Sequence, residues 1–291
     1  MQQGRRIQER CIEAAIFSCG MLSIVFVVLI FVFLLKEGIA LFRTIPLKDF
    51  LGGSRWYPIS EPGEFGILPL IVGSLLVTVG ATLISVPLGI GCAFFIAEVA
   101  PARIKDFLKT GVEMLAAIPS VVIGFIGIVT LVPLVKSVFH LSTGLTALAG
   151  SITLAFMAMP TIVSIAEDAI NAVPRSYKEA AIALGATRWQ TMLRVTYRAA
   201  MPGIVAAVML GMGRVIGETM AVMMVTGNSA AMTHSLLRPV RTLTATIAAE
   251  MGETVQGSEH YHALFAIGIV LFFITFAINF IADLYLHKAR K

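Results

Sequence analysis

The chain has 291 residues, 57% of them hydrophobic and 13% charged, with a mean hydropathy of +0.89. Globular domains carry roughly 25% charged residues, so a water-soluble fold is excluded. The formal net charge of +5 would hint at nucleic acid in a soluble protein; here it is read as the excess of Lys and Arg on cytoplasmic loops, and no nucleic-acid partner is expected.

Arg5, Arg6 and Arg10 precede an uncharged run from Ala14 to Leu35. As a helix that run spans roughly 33 Å, enough to cross a bilayer and too long for a signal-peptide core. It is read as a retained first transmembrane helix. Lys36 to Phe65 is an extended polar connection rich in Pro and Gly, with Trp56 and Tyr57 suited to the membrane interface. Gly66 to Ala97 is uncharged and contains Pro69 and Pro87, which predicts a tilted or kinked second span. Glu98 to Lys109 reads as a short loop. A third span covers Met114 to Val135, with Pro119 and Pro133 inside it, and a fourth covers Leu145 to Ala166, with Pro160. Prolines at membrane depth require neighbouring protein or a cavity to satisfy the freed backbone groups, so these spans are expected to pack as a bundle in which some line a path.

Asn171 to Gly203 is the one long segment that is both charged and helix-patterned, so it must lie outside the hydrocarbon. Pro174 marks a helix start, and Gly185 supplies the left-handed backbone that ends the helix. Thr187 is a candidate N-cap for a second helix running through Arg198. A helix-turn-helix knob follows. Ile204 to Thr226 is the fifth span, an outer segment reaches His262, and Ala263 to Ala282 is the sixth. The tail ends in Lys288, Arg290 and Lys291. Six spans put both termini on one side. Lys and Arg number fourteen on the side of the termini and the knob against seven on the other, which predicts that the termini and the knob are cytoplasmic.

Within the fifth span, GMGRVIGET puts Arg214 and Glu218 one helical turn apart on one face. An arginine at a helix centre costs about 2.5 to 3.5 kcal/mol to insert, so it is a functional candidate by default. Two readings stand. In one, the pair is a local ion pair, with Gly211, Gly213 and Gly217 allowing close helix approach. In the other, Arg214 faces a watery path and offers its donor fork to a passing oxyanion while Glu218 orients it. The second is the expectation, because a buried ion pair gains little over an apolar one. Thr219, Thr226 and Asn228 extend the polar face, although such hydroxyls also bond the backbone. In the outer segment, Leu243, Ile247 and Met251 are spaced for a short helix at the surface or dipping inward. Arg238 and Arg241 could attract anions to an outer gate or meet a binding protein, or lie in a plain solvated loop.

The three cysteines, Cys11, Cys19 and Cys92, have no disulfide or metal spacing and read as free packing residues. His260 and His262 could share a metal, but without a carboxylate or thiol frame an exposed pair is expected, and no metal site is assigned. No G-x-x-x-x-G-K-[ST] loop occurs, so energy is expected from a partner. No catalytic residues are assigned either.

The motif EAAIALG, comprising Glu179, Ala180, Ala181 and Gly185, resembles the cytoplasmic EAA loop of binding-protein-dependent ABC importers. The second half of that consensus, I-x-L-P, departs here: Val195 stands for the isoleucine, Tyr197 and Arg198 for the Leu-Pro pair, and Pro202 is the expected helix end. IPSVVIGFIGIVTLVPLV, GSITLAFMAMPTIVSIAEDAI, GMGRVIGETMAVMMVTGN and RTLTATIAAEMG resemble the PstC-type permease subunits of phosphate importers, a likeness covering most of the chain from Gly66 onward. The resemblance implies an all-α membrane protein with six transmembrane helices. It divides the chain into residues 1–65 (first helix and outer loop), 66–285 (permease core, with a coupling loop at 167–202) and 286–291 (tail). It implies a permease for inorganic phosphate in the cytoplasmic membrane, in contact with membrane lipid. The implied partners are a PstA-type permease, two copies of an ATP-binding subunit and an extracytoplasmic phosphate-binding protein. No cofactor is expected on this chain, with ATP and Mg on the partners. Arg214, Glu218 and Thr219 are then pathway residues, and Glu179 to Gly185 the ATPase contact. A permease for sulfate or molybdate and a gradient-driven anion carrier are the alternatives, although the chain lacks the inverted hydropathy symmetry of a secondary transporter.

Overall fold

The computed structural model describes residues 2–289 and is mostly helical. Arg290 and Lys291, counted in the charge asymmetry, lie outside the described residues, as do the side chains of Arg5, Arg6 and Lys288. Among the described residues, six helical segments are long and apolar enough to cross a membrane: Ile12–Arg43, Leu68–Val99, Ser120–Val138, Ala147–Asn171, Arg188–Gly217 and Glu259–Ile281. In lipid a helix satisfies its own backbone, which is why uncharged runs of this length form helices.

The first span is α1 (Gln2–Ala40). A connection containing α2 (Leu47–Gly52) and a hairpin of β1 (Trp56–Tyr57) and β2 (Glu64–Phe65) follows. The second span, α3 (Leu68–Phe94), continues through a π-helical turn over Phe95–Val99. Next come α4 (Ala102–Ala116) and the third span, which is α5 (Ser120–Ile126), a π turn (Gly127–Leu131) and α6 (Val132–Val138). The fourth is α7 (Ala147–Asn171). The knob comprises α8 (Arg175–Ala183) and α9 (Arg188–Thr191), and α9 runs through a π turn (Met192–Thr196) into α10 (Tyr197–Gly217). The short α11 (Met220–Val225), α12 (Leu243–Glu250) and the sixth span, α13 (Glu259–Ala289), complete the chain.

α7 is the axis of the bundle, with Ala149, Ala155, Ala158, Ile162 and Ala166 all buried. Small residues bring its neighbours close. A Cβ on Gly89 of α3 would lie 2.8 Å from Ile162, and one on Gly211 of α10 would lie 2.5 Å from it, so both helices press on the same side chain. α1 packs on α13 through Phe31 against Phe272 at 4.6 Å, Phe33 against Phe265 at 5.5 Å and Leu34 against Gly268, and its apolar side chains from Ile12 to Ile30 are exposed. α3 and α7 end, and α10 begins, at the end of the bundle that carries the knob. The hairpin and the C-terminal end of α12 lie at the opposite end.

Four expectations are corrected. The predicted loop Glu98 to Lys109 is mostly α4, whose Ile104, Phe107 and Leu108 recur at helical spacing. Pro119 sits at the N-cap of α5 rather than inside the third span, because its ring suits a helix start. Pro202 lies inside α10 and does not end it. The polar connection is folded: Phe50 and Trp56 are buried, so Trp56 is a core residue and only Tyr57, 58% exposed, remains free for an interface.

Candidate functional site

The fifth span departs from a continuous helix at the residues singled out in the sequence. α10 stops at Gly217, and Glu218 is extended, with φ −73° and ψ 134°, before α11 begins. That break removes the shared face on which the sequence placed Arg214 and Glu218. The Glu218 carboxylate turns forward and accepts from the Ala221 N–H at 3.2 Å, capping α11, while its carbonyl accepts from the Thr244 hydroxyl at 2.9 Å. No ion pair joins Arg214 to Glu218 among the described residues. Arg214 is half-buried, and its Nη1 donates to Thr161 Oγ1 of α7 at 3.3 Å.

A guanidinium carries five N–H donors, and a neutral hydroxyl occupies one of them. Gly211 packs tightly on Ile162, but Gly213 and Gly217 have no atom within 4 Å of where a Cβ would stand. Among the described residues of this chain, the reading in which the three glycines serve close helix approach holds for Gly211 and not for Gly213 or Gly217, so no described side chain covers α10 at those two positions beside Arg214. The Thr219 hydroxyl donates to the Gly217 carbonyl at 3.3 Å and that of Thr226 to the Val222 carbonyl at 2.9 Å, so both bond backbone. Asn228 has φ 48°, and its Oδ1 is buried without a partner.

In the knob, Glu179, Ala180 and Ala181 lie on α8. Gly185 adopts φ +85°, as the turn demands, and Thr187 forms a capping box with Gln190. Leu184 (90%), Trp189 (63%) and Ile182 (53%) are exposed on it. Lys178, next to Glu179, forms an ion pair with Glu98 in the π turn that ends the second span. A cleft of about 410 Å³ between Val99, Ile182, Arg188 and Trp189 separates the knob from that span.

The sequence reading missed a second polar junction here. Glu167, 2% exposed near the end of α7, binds Lys105 at 3.4 Å and Lys109 at 2.8 Å, and Lys109 also reaches Asp168 at 3.0 Å. The hydrogen bond to Glu167, then that to Asp168, raises the Lys109 pKa above its ordinary value, so its charge is fixed. The available signal was Lys105 and Lys109 four residues apart, opposite an acidic pair closing an apolar run.

At the other end, Arg238 is exposed, but Arg241 is not free to attract anions. Its Nη1 meets Glu250 Oε1 at 2.6 Å, and its Nε donates to the Asn228 carbonyl at 3.1 Å. Glu250 also accepts from Trp56 Nε1 at 3.0 Å and meets His260 Nε2 at 2.8 Å. His260 and His262 are half-buried rather than an exposed pair, and His262 Nδ1 lies 2.9 Å from the Glu37 carbonyl oxygen. Cys19 and Cys92 are exposed rather than packed, and the side chain of Cys11 lies outside the described residues.

Residues 85–291 match the family model described as binding-protein-dependent transport system inner membrane component. The chain is 39% identical, over all its length and 94% of the relative's, to the probable ABC transporter permease protein YqgH of Bacillus subtilis. It is also 39% identical to the phosphate transport system permease protein PstC of Mesorhizobium japonicum, over 80% of this chain and 76% of that one. Among solved structures, a bacterial alginate ABC transporter in complex with an alginate pentasaccharide-bound periplasmic protein superposes with a TM-score of 0.64 and 17% identity, covering 92% of each chain. The six apolar spans and the match over most of the sequence lead to one assignment: the chain belongs to the inner-membrane components of binding-protein-dependent transport systems, multi-pass permease subunits of ABC transporters.

Proposed function

We propose that the chain is the permease subunit of an ATP-driven importer of inorganic phosphate, forming half of the translocation pathway beside a second, PstA-type permease. An extracytoplasmic phosphate-binding protein delivers the anion. Two copies of an ATP-binding subunit, carrying ATP and Mg, act on α8 through Glu179, Ala180, Ala181 and Gly185 from the cytoplasm. The 39% identity to a phosphate transport permease supports the substrate, and the excess of Lys and Arg at the knob end supports the orientation.

The observation that carries the site is Arg214, a charge half-buried in an apolar span with one neutral partner and an open face beside it. A guanidinium so placed can receive an oxyanion through paired N–H donors without first giving up a carboxylate. Glu218 and Thr219 serve the pathway by shaping the break rather than by pairing with Arg214. Because α9 passes without a loop into α10, a displacement of the knob tilts the helix that bears Arg214, which is the rigid-body motion alternating access requires.

Arg214→Ala is expected to reduce phosphate uptake in membrane vesicles by at least about tenfold at unchanged complex yield, and Arg214→Lys to recover only part of it, because an ammonium lacks the planar fork. Wild-type uptake by Arg214→Ala would remove the residue from the pathway. Competition by sulfate and molybdate reports whether phosphate is the preferred oxyanion.

A further inference from the structure

Interrupting a helix inside an apolar bundle strands a carbonyl, and the donor that meets it here comes from outside the fifth span. Thr244, 9% exposed in the first turn of α12, gives its hydroxyl to the Glu218 carbonyl at 2.9 Å. That turn is itself braced. Thr242 Oγ1 accepts from the Ala245 N–H at 3.2 Å and lies 3.2 Å from Thr244 Oγ1, and the Leu243 N–H donates to Ser74 Oγ of α3 at 2.9 Å. The other two contacts of Glu218, its N–H to the Val215 carbonyl and its carboxylate to the Ala221 N–H, are local and would follow the residue if the backbone turned. Among the hydrogen bonds of Glu218, the Thr244 bond is the one that reaches a distant segment of the chain.

We infer that Thr244 is a positioning residue that holds Glu218 extended and so keeps its carboxylate away from Arg214. Without that hydroxyl, Glu218 can wind back into α10 to recover a helical hydrogen bond. It then stands one turn beyond Arg214, the spacing at which opposite charges pair on a helix. The carboxylate occupies the guanidinium, and the anion loses its receptor. This inference rests on the proposed role of Arg214 in the pathway.

The test uses the full complex with its ATP-binding subunits, in proteoliposomes supplied with phosphate-loaded binding protein, and reads phosphate moved per ATP hydrolysed. Thr244→Val, which keeps the shape and removes the donor, is expected to lower that ratio by about tenfold while ATP hydrolysis stays within about twofold. Thr244→Ser restores it. In a Glu218→Gln background, whose side chain cannot form the ion pair, Thr244→Val has no further effect. A contact needed only for folding would lower uptake and hydrolysis together and would act equally in both backgrounds, which overturns the inference, as does an unchanged ratio in Thr244→Val. Thr244→Ala is measured alongside, and failure of both variants to assemble also overturns it. If Arg214→Ala keeps the wild-type ratio, the pathway reading itself has failed; if Arg214→Ala loses it and Thr244→Val does not, only the positioning role is lost.

Discussion

Two arginines in this apolar chain have opposite surroundings, and the surroundings decide what each can do. Arg241 is neutralised by Glu250 and bonds the Asn228 carbonyl, and Glu250 is in turn held by Trp56 and His260. Arg214 has a hydroxyl and open space. Glu250→Ala would strand three donors at once, so it is expected to destabilise the protein by about 3 kcal/mol and to lower its thermal unfolding temperature in detergent. An unchanged transition would show that water replaces the carboxylate at no cost. The Trp56 contact was not legible in the sequence, because it joins residues 194 apart and nothing in the local pattern of Trp56 announces a distant acid. Arg214 was legible as a charge within an apolar run. The separation of Glu218 from it was not, because the helical period continues through Gly217 and only one extended residue breaks it.

At the scale of elements, the knob was read closely because its boundaries are set by local chemistry. Pro174, the left-handed Gly185 and the Thr187 capping box each act within a few residues. The end of its second helix was misplaced. Pro202 removes one N–H, but the carbonyl it frees belongs to Arg198, an exposed residue that water can serve, so the helix continues. Gly185→Ala puts a Cβ at φ +85° and is expected to cost about 1 kcal/mol, seen as weaker retention of ATP-binding subunits on the purified complex. Equal retention would mean that the turn tolerates the side chain. Lys178→Glu is expected to loosen α8 from the second span and lower coupled uptake, and adding Glu98→Lys to restore it; failure of the exchange would assign Lys178 a contact other than Glu98. The Lys109 junction has a defined sign. Its raised pKa means that its stabilisation is complete below the unfolded-state value of about 10.4 and fades only as pH climbs through the higher folded one. Lys109 therefore adds no pH dependence to thermal stability between about pH 6 and 9, whereas Lys109→Met should lower stability across that whole window.

For the molecule as a whole, hydropathy located all six spans, because length and absence of charge are what a bilayer selects. It could not separate α4 from a loop, since the positive charges of Arg103, Lys105 and Lys109 obscured an apolar stripe on the same helix. Among the described residues the bundle is fastened by polar clusters at both ends, Glu167 with its lysines at the knob end and Glu250 with its three partners at the other, and Arg214, bonded to a hydroxyl and to no carboxylate, lies on the span between them. The decisive measurement is phosphate accumulation by proteoliposomes containing this chain with and without its sister permease and ATP-binding subunits, binding protein being supplied. The account requires accumulation only when the complete complex and ATP are both present, and its loss in Arg214→Ala. Accumulation by this chain without a nucleotide-hydrolysing partner would contradict it.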